Sequence, residues 1–563
     1  MRKKLISLMM AALMLLSLAA ACGTEPAPAP TPDPAPAPST PAPSTPAPAP
    51  STPAPADPTP ADPDAEKYGG DLVVATSNIS TTIDPHASKG TTGNYQWMVY
   101  VYDTILSRDA AGNVFPQICD YTASEDGKTI TFTLREYYYH NGTKVKIEDV
   151  LASMERATYF SGSWADTWSK IEASIEGDTL TLKFSELVVD FLPTLGYINP
   201  CAFVLPKEIC EQYGETIIED QSVLDGWGSG CYILEEYNPD VAIKMKRNED
   251  YVGVINEEAQ GGIAAPRKAY ADTITYAVNT DSASRTAAMI AGEYHVGGIL
   301  TEMRPYAQSV GLKEVPVYGQ WTHAIFFNLD ESNADSPVAD VNFRKALRAA
   351  LDMKAVALSI YQGDETAIDL NCSAVVPGNP YWNDIIHNTE WNIADKELAK
   401  EYLAKTDYNG EPIVWLCSAN SAFYRQAMGC IPQWEEIGIN VELQVVDSGS
   451  HGALRGDPAT GHDIGSWETQ KSVFNPVGAT SLICQGNGWW GNERKDELFQ
   501  IMMTTPHGSQ ESLDAYTELC ELIADNVPWI GFCTTISKTY TAQNVVMGYE
   551  GLLAYHWNTY FTK

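Results

Sequence analysis

The sequence predicts a mixed α/β protein whose globular body contains two or three domains. Three observations indicate this class: stretches that alternate polar and apolar residues, a strand–helix–strand pattern, and the length of the body. The body has about 500 residues, and a single hydrophobic core rarely extends over that much chain. We therefore expect the body to divide into several domains.

The alternating stretches predict an antiparallel β region over residues 111–224. Thr129–Leu134 alternates polar and apolar residues after the turn Glu125-Asp126-Gly127, and Asp178–Phe184 repeats the pattern. We expect a helix from about Glu148 to Thr158, between these two strands. The combination is typical of a small sheet with one covered face.

The second half of the body predicts parallel strands. A strand over Pro412–Leu416, a helix over Ala422–Glu436 and a strand over Ile439–Val446 form a βαβ unit. In such units, functional loops lie at the carboxyl ends of the strands. The remaining predictions are one helix from near Asp340 to just before Gly363, a helix over Leu513–Ile523 and a buried strand over Trp529–Thr534.

The amino terminus has the pattern of an export signal. Three basic residues precede an apolar run from Leu5 to Ala21, which is short for a membrane span and ends in three alanines. Cys22 follows directly and resembles the lipid-attachment site of bacterial lipoproteins; an unmodified Cys22 after ordinary cleavage is the alternative. We expect residues 1–21 to be removed and residues 22–66, rich in Pro, Ala, Ser and Thr, to form an extended tether. The body would then stand on the outer face of the cytoplasmic membrane.

Composition and motifs exclude several classes of protein. The formal charge of −36 argues against nucleic acid, because a phosphate-binding protein needs a basic surface. No later stretch is apolar and long enough for a membrane span, so a channel or permease is not expected. The sequence has no G-x-S-x-G, H-E-x-x-H or phosphate-loop motif, and its histidines are isolated. We therefore predict no enzyme, no cofactor and no metal site, while an acidic hydrolase site stays a minor alternative.

The cysteines of the body are scattered and show no metal-finger or C-x-x-C spacing. Several stand inside apolar runs and are expected to be buried as small hydrophobic residues. Disulfides between some of them are the open alternative. The positions are Cys119, Cys201, Cys210, Cys231, Cys372, Cys417, Cys430, Cys484, Cys520 and Cys533.

Several short segments follow one another in a characteristic order across the body. They are Gly69–Val74 with Ile83–Pro85, Ser124–Arg135 followed by His140–Thr143 and Glu148–Val150, Gly228–Tyr232, Arg247–Tyr251, Phe343–Leu347 and Asn526–Ile530. In this order they resemble the family 5 extracellular solute-binding proteins, the dipeptide- and oligopeptide-binding group of ABC importers. The resemblance covers essentially the whole body.

The resemblance implies a two-lobed, periplasmic-binding-protein-like clamshell with three structural domains, mixed sheets and a hinge. The large lobe would be discontinuous, with the chain crossing between lobes near Trp321–Leu329 and Asn526–Thr535. Hinge closure on a ligand would precede delivery to a membrane permease and its ATPase, with the binding protein itself a monomer. The predicted domains are residues 67–110, 225–325 and 526–563 for the large lobe, 111–224 for domain II, and 326–525 for the second lobe.

The resemblance also implies a ligand site. In the family's peptide binders a cleft tryptophan is followed three positions later by an aspartate that neutralises the peptide amino terminus. Trp467 matches that tryptophan, but Gln470 stands at the aspartate position, and a neutral amide cannot offset a buried ammonium. Glu468 is a candidate substitute. The weaker aromatic candidates, for which core packing is the alternative, are Tyr95, Trp97, Trp321, Phe423, Tyr424, Trp489 and Trp490.

Three functions remain in competition. The first is a binding protein that delivers a small ligand, most simply a peptide, to an importer; the glutamine at position 470 also admits an oligosaccharide or a metal complex. The second keeps the same fold but signals through a membrane receptor. The third is a secreted hydrolase with paired carboxylates, suggested only by the acidic composition.

Overall fold

The computed structural model describes residues 64–79, 82–87, 97–253, 256–259, 261–387, 390–419, 421–472, 475–478, 488–548 and 555–563. The predicted signal, Cys22, most of the tether, Tyr95 and Cys484 lie outside these residues. The described strands are β1 Asp71–Thr76, β2 Leu106–Arg108, β3 Val114–Pro116, β4 Cys119–Ala123, β5 Thr129–Leu134, β6 Ile171–Glu176, β7 Thr179–Phe184, β8 Tyr232–Asn238, β9 Ala242–Arg247, β10 Thr273–Val278, β11 Val296–Gly297, β12 Lys313–Phe327, β13 Ile368–Asp369, β14 Ile413–Ser418, β15 Val441–Val446, β16 Ile464–Gln470, β17 Trp529–Thr541, β18 Val545–Val546 and β19 Tyr560–Phe561.

The helices alternate with these strands along the chain. They are α1 Met98–Val101, α2 Ile147–Ala157, α3 Gly162–Trp168, α4 Phe191–Leu195, α5 Lys207–Tyr213, α6 Gln221–Leu224, α7 Ser282–Ala291, α8 Arg304–Ser309, α9 Val341–Ala349, α10 Met353–Ile360, α11 Lys396–Leu403, α12 Ala422–Glu435, α13 Ser448–Arg455, α14 Glu493–Thr504 and α15 Gln510–Asn526. The described helices include none that is long and apolar enough to cross a membrane. The mixed α/β class predicted from the sequence is confirmed.

The largest sheet is mixed and runs through most of the body. Its strand order is β15-β14-β16-β12-β17-β11-β1-β10-β9-β8, with β13 paired to β17. Parallel pairs join β14 to β15 and β16, and β1 to β10 and β11, whereas the other pairs are antiparallel. The predicted βαβ unit is therefore present as β14, α12 and β15.

The predicted antiparallel region forms a separate four-stranded sheet in the order β4-β5-β7-β6. Strand β5 begins two residues after Gly127, whose φ of 66° lies in the left-handed region that glycine adopts readily. An added Cβ at Gly127 would also lie 2.6 Å from Leu187 Cδ1. Helix α2 buries Ile147, Val150 and Met154 in the same hydrophobic cluster as the inward side chains of this sheet. The spacing of these apolar residues thus fixes which face of the helix covers the strands.

Two long strands connect the two halves of the large sheet. Strands β12 and β17 pair antiparallel from Lys313–Thr541 to Phe326–Trp529, and the register shifts between Tyr318 and Thr322 and again after His323. At the first shift the backbones come so close that a Cβ on Gly319 would lie 2.1 Å from the carbonyl oxygen of Thr535. Both predicted crossing segments lie on these strands or at their ends.

The prediction of one continuous helix from Asp340 to the residues before Gly363 is wrong. The structure has two helices, α9 and α10, because Asp352 adopts an extended conformation (φ −80°, ψ 100°) and caps the second. The Asp352 carboxylate accepts a hydrogen bond from the backbone N–H of Ala355 at 2.9 Å. Aspartate stabilises a helix when it caps the first turn and disfavours the helix interior. The chain therefore begins a second helix at Asp352 and does not continue the first.

The nine described cysteines of the body are all buried thiols, and none forms a disulfide with another described residue. Burial raises the pKa of these thiols, to about 12 for Cys119. A buried, protonated thiol behaves as a small apolar side chain, as predicted from the apolar runs.

Candidate functional site

The site is built at the carboxyl ends of parallel strands. Ser418 ends β14 and Val446 ends β15, and each strand is followed by a helix with a side-chain cap. The Ser421 hydroxyl accepts from the backbone N–H of Tyr424 at 3.2 Å, and Asp447 accepts from the backbone N–H of Gly449 and Ser450 at the start of α13. These turns fix the helix starts, so side chains from α12 and α13 meet those of β16 at this edge.

Trp467 on β16 forms the centre of an aromatic cluster. Its ring is stacked on Phe423 of α12 at 5.8 Å and on His451 of α13 at 6.5 Å, and Phe423 and His451 stack on each other at 5.4 Å. The Arg455 guanidinium lies 3.6 Å from the centre of the Trp467 ring. Trp467 is half-buried. Neighbours on several sides thus hold the indole in one orientation while part of it stays open.

His323 on β12 lies directly opposite Glu468 in the β12–β16 ladder. The amide Nε2 of Gln426 lies 3.1 Å from His323 Nδ1, and the Tyr361 hydroxyl lies 2.9 Å from Nε2. Because an amide nitrogen only donates, Nδ1 accepts and the ring proton sits on Nε2. Burial, followed by the charge of Arg425, lowers the pKa of His323 to about 4, so the imidazole is neutral at neutral pH.

Glu468 presents a half-buried carboxylate next to this neutral histidine. Its side chain is 35% exposed, and Oε2 lies 3.8 Å from His323 Nε2. Burial raises the pKa of Glu468 above its ordinary value of 4.5. Among the described residues no lysine or arginine forms an ion pair with Glu468. Lys471, three residues along, instead directs its Nζ to the backbone and side-chain oxygens of Asn371 at 3.2 Å.

Comparison with known proteins decides the family. The sequence model described as "Bacterial extracellular solute-binding proteins, family 5 Middle" matches residues 113–491, which is more than half of the chain. This chain belongs to that family. The resemblance inferred from the ordered segments is therefore confirmed.

Individual relatives are distant but cover most of the chain. The glutathione-binding protein GsiB of Salmonella paratyphi A is 22% identical over 485 residues, 82% of this chain and 88% of its own. Among solved structures, the ABC transporter substrate-binding protein CtaP of Listeria monocytogenes has a TM-score of 0.75 at 17% identity, covering 88% of this chain and 100% of its own. DppA of Helicobacter pylori, solved with the peptide STSA, has a TM-score of 0.67 at 20% identity and covers 89% of this chain and 99% of its own. These structures share the periplasmic-binding-protein fold with this family 5 chain.

The structure brings several of the predicted site residues of this family 5 protein together. Phe423 stacks on Trp467, and Glu468 is the next residue of β16. Trp321 pairs with Gln470 across the β12–β16 ladder. The Trp321 side chain is 37% exposed. Gln470 lies two residues beyond Glu468 on the same strand.

Other candidates lie away from this cluster or pack in the interior. Trp97 is 1% exposed and packs at 5.7 Å from the Tyr237 ring in a different hydrophobic cluster. Trp489 is half-buried at 6.1 Å from the His462 ring, and Trp490 is 5% exposed. Tyr424 is half-buried beside Phe423 on α12. The role predicted for each of these in ligand binding stays a prediction.

The residues that support Trp467 and Glu468 were not predicted from the sequence. The histidines were noted only as isolated residues, and His323, His451, Arg455, Gln426 and Tyr361 were not singled out. One signal was present: His451 and Arg455 are four residues apart in a segment that follows a strand end, so they share one helix face. The contacts of His323 join β12, α10, α12 and β16, which no local pattern reveals.

Proposed function

We propose that this family 5 protein captures a peptide through its free amino terminus and delivers it to an ABC importer. The observation that carries the proposal is the half-buried Glu468 carboxylate, which has a raised pKa and, among the described residues, neighbours a neutral histidine but forms no ion pair with a lysine or arginine. An ammonium group placed beside it would offset the desolvation of both charges. Trp467 precedes Glu468 on β16 and alternates to the opposite face of the strand, so a later part of the peptide would pass the strand edge to reach the Trp467 cluster.

The ligands named for similar proteins support this class. One relative is a glutathione-binding protein, and one structural neighbour was solved with the peptide STSA. Glu468 would do here what the family's aspartate does three positions after the cleft tryptophan.

We further propose that the protein works as a lipid-anchored clamshell. Residues 1–21 would be the export signal, Cys22 the lipid attachment site and residues 22–66 the tether. Closure would bend β12 and β17 near Gly319, where the register shift interrupts the ladder between them. A ligand favours the closed form only through contacts that both lobes make at once.

The test is a binding experiment on the signal-free protein with paired peptides. Each free peptide of three or four residues is compared with its N-acetylated form by thermal shift and calorimetry. At about 100 times the dissociation constant, a bound peptide should add about 2.7 kcal/mol to the free energy of unfolding. Acetylation should weaken binding about tenfold or more. Equal binding of both forms, or stabilisation only by oligosaccharides or metal complexes, would overturn the proposal.

The affinity for free peptides should fall as the pH is lowered through the pKa of Glu468. The ammonium stabilises the carboxylate, so the complex has a lower Glu468 pKa than the free protein, and protons are released on binding. Affinity should be constant above the raised pKa and decrease below it, by at most about tenfold per pH unit. Calorimetry between about pH 7 and pH 4 measures this.

The matched control for this prediction is Glu468→Gln, which keeps the side-chain shape. Its affinity should be lower, and its pH profile should be flat except near the His323 pKa of about 4. His323, whose pKa is about 4, titrates at the acid end in both proteins and is thereby separated from Glu468. A profile that is unchanged in the glutamine variant would contradict the assignment of Glu468.

A further inference from the structure

A cavity lies outside the cluster around Trp467 and shares no residue with it. It has a volume of about 520 Å³ and is formed by the segment 135–142 after β5 and the segment 248–253 after β9, with Ser229 at its side. Small-molecule sites usually enclose about 300 to 1,000 Å³. The cavity is therefore large enough to hold a ligand of a dozen or so heavy atoms.

The base of this cavity is fixed by a buried polar network. The Tyr137 and Tyr251 hydroxyls both donate to Asp103 Oδ2, Tyr251 at 3.1 Å, and Arg267 forms an ion pair with Oδ1 of the same carboxylate. The Asp103 and Arg267 side chains are 0% and 3% exposed. Gln117 Nε2 also donates to the Tyr137 hydroxyl at 3.0 Å. Since Arg267 balances Asp103, the base offers two anchored aromatic rings and little net charge.

The mouth of the cavity carries exposed apolar and acidic groups. Tyr138 is 47% exposed and donates its hydroxyl hydrogen to Glu136 at 2.6 Å, while Val252 is 89% exposed. Asp250 is exposed as well. Neither Glu136 nor Asp250 has an ion-pair partner among the described residues.

The basic side chains that line the cavity do not neutralise the negative charge of these carboxylates. The Arg135 guanidinium is held by Asp120 in a two-point contact, Nε to Oδ2 at 3.0 Å and Nη2 to Oδ1 at 2.7 Å. The Nε2–H of His140 donates to the Gly230 carbonyl oxygen at 2.9 Å, and burial lowers the pKa of His140, so its imidazole is neutral at neutral pH. The lining therefore has a negative rim above tyrosine rings.

We propose that this cavity is a second binding site, for a small organic cation that carries an apolar group. The ammonium would lie near Glu136 and Asp250, and the apolar part would pack against Tyr138, Tyr251 and Val252. Aromatic rings attract cations through their electron-rich faces, and the carboxylates add a direct charge interaction. An anion is disfavoured by the same charges.

The experiment uses 2-phenylethylammonium as the probe and 2-phenylethanol as its neutral counterpart. Calorimetry and ligand-observed NMR are run on the signal-free protein. The amine should bind saturably with a dissociation constant of about 1 mM or lower, and the alcohol about tenfold more weakly. Tyr138→Ala and Asp250→Asn should each weaken the amine about three- to tenfold. Both residues are exposed, so these variants should stay folded.

Trp467→Ala and Glu468→Gln are the controls that separate this cavity from the site of the proposed function. Amine binding should be unchanged in both, whether or not peptides bind at Trp467. Absence of saturable binding up to about 20 mM, equal binding of the alcohol, or loss of amine binding only in the two controls would overturn the proposal.

Discussion

Asp84→Asn is expected to lower the free energy of unfolding by about 3 to 5 kcal/mol, because it leaves a buried arginine without its charge partner. The Arg156 and Asp84 side chains are 1% and 0% exposed, and Nη1 and Nη2 of Arg156 donate to Oδ1 and Oδ2 of Asp84 at 2.8 and 2.6 Å. The Asp84 carboxylate also accepts from the backbone N–H of His86 and Ile218 at 3.0 Å. An asparagine cannot satisfy all of these donors.

Urea unfolding at neutral pH measures this loss, and Asp120→Asn provides the control. Asp120 forms the same two-point contact with Arg135, but the side chains are 54% and 30% exposed. An exposed pair of this kind contributes less than about 1 kcal/mol, so the control should change stability little. Similar losses in the two variants would show that burial is not what makes the Asp84 pair strong.

The Asp84–Arg156 pair should also make the free energy of unfolding of the wild-type protein depend on pH in acid. Burial by itself raises the pKa of Asp84, but the hydrogen bonds from Arg156 and the charges of His86 and Arg156 hold it below its ordinary value of 3.8. A carboxyl with a lowered pKa contributes stability above pH 3.8 and loses it as the pH falls through the lower, folded-state value. The asparagine variant should lack this part of the acid transition.

Local pattern was enough to predict elements whose stabilising contacts lie close in sequence. The strand Thr129–Leu134 was predicted with its observed bounds, because its alternation follows a glycine turn and its partner strand has the same period. The helix of the βαβ unit was predicted within one residue of Ala422–Glu435. In both cases the apolar period, the start signal and the tertiary packing agree.

Prediction failed where distant contacts decide the outcome. Strand β17 continues to Thr541, seven residues beyond the predicted Trp529–Thr534, although the extra residues are mostly polar. They are held in extended form by pairing with Lys313–Tyr318 of β12, more than 200 residues earlier. The site shows the same limit, since only folding brings Tyr361 and Gln426 to His323 and His323 to Glu468.

Trp467→Ala is expected to weaken peptide binding about 100-fold or more, because the indole is the anchored centre of the proposed site. Truncation of a central aromatic contact residue costs about 2 to 4 kcal/mol of binding free energy. Here the stacked rings of Phe423 and His451 and the guanidinium of Arg455 at 3.6 Å hold the indole in place. Little side-chain freedom would then be lost on binding, so most of the contact energy would appear as affinity.

Calorimetry with the best free peptide measures this loss, with Trp467→Phe and Trp168→Ala as matched controls. The phenylalanine keeps an aromatic face and should lose about tenfold or less. Trp168 is also half-buried but packs on Trp164 at 6.0 Å in the four-stranded sheet region. Its truncation should lower stability and leave affinity unchanged. If Trp467→Ala binds within about threefold of wild type, the indole serves packing alone and the peptide site lies elsewhere.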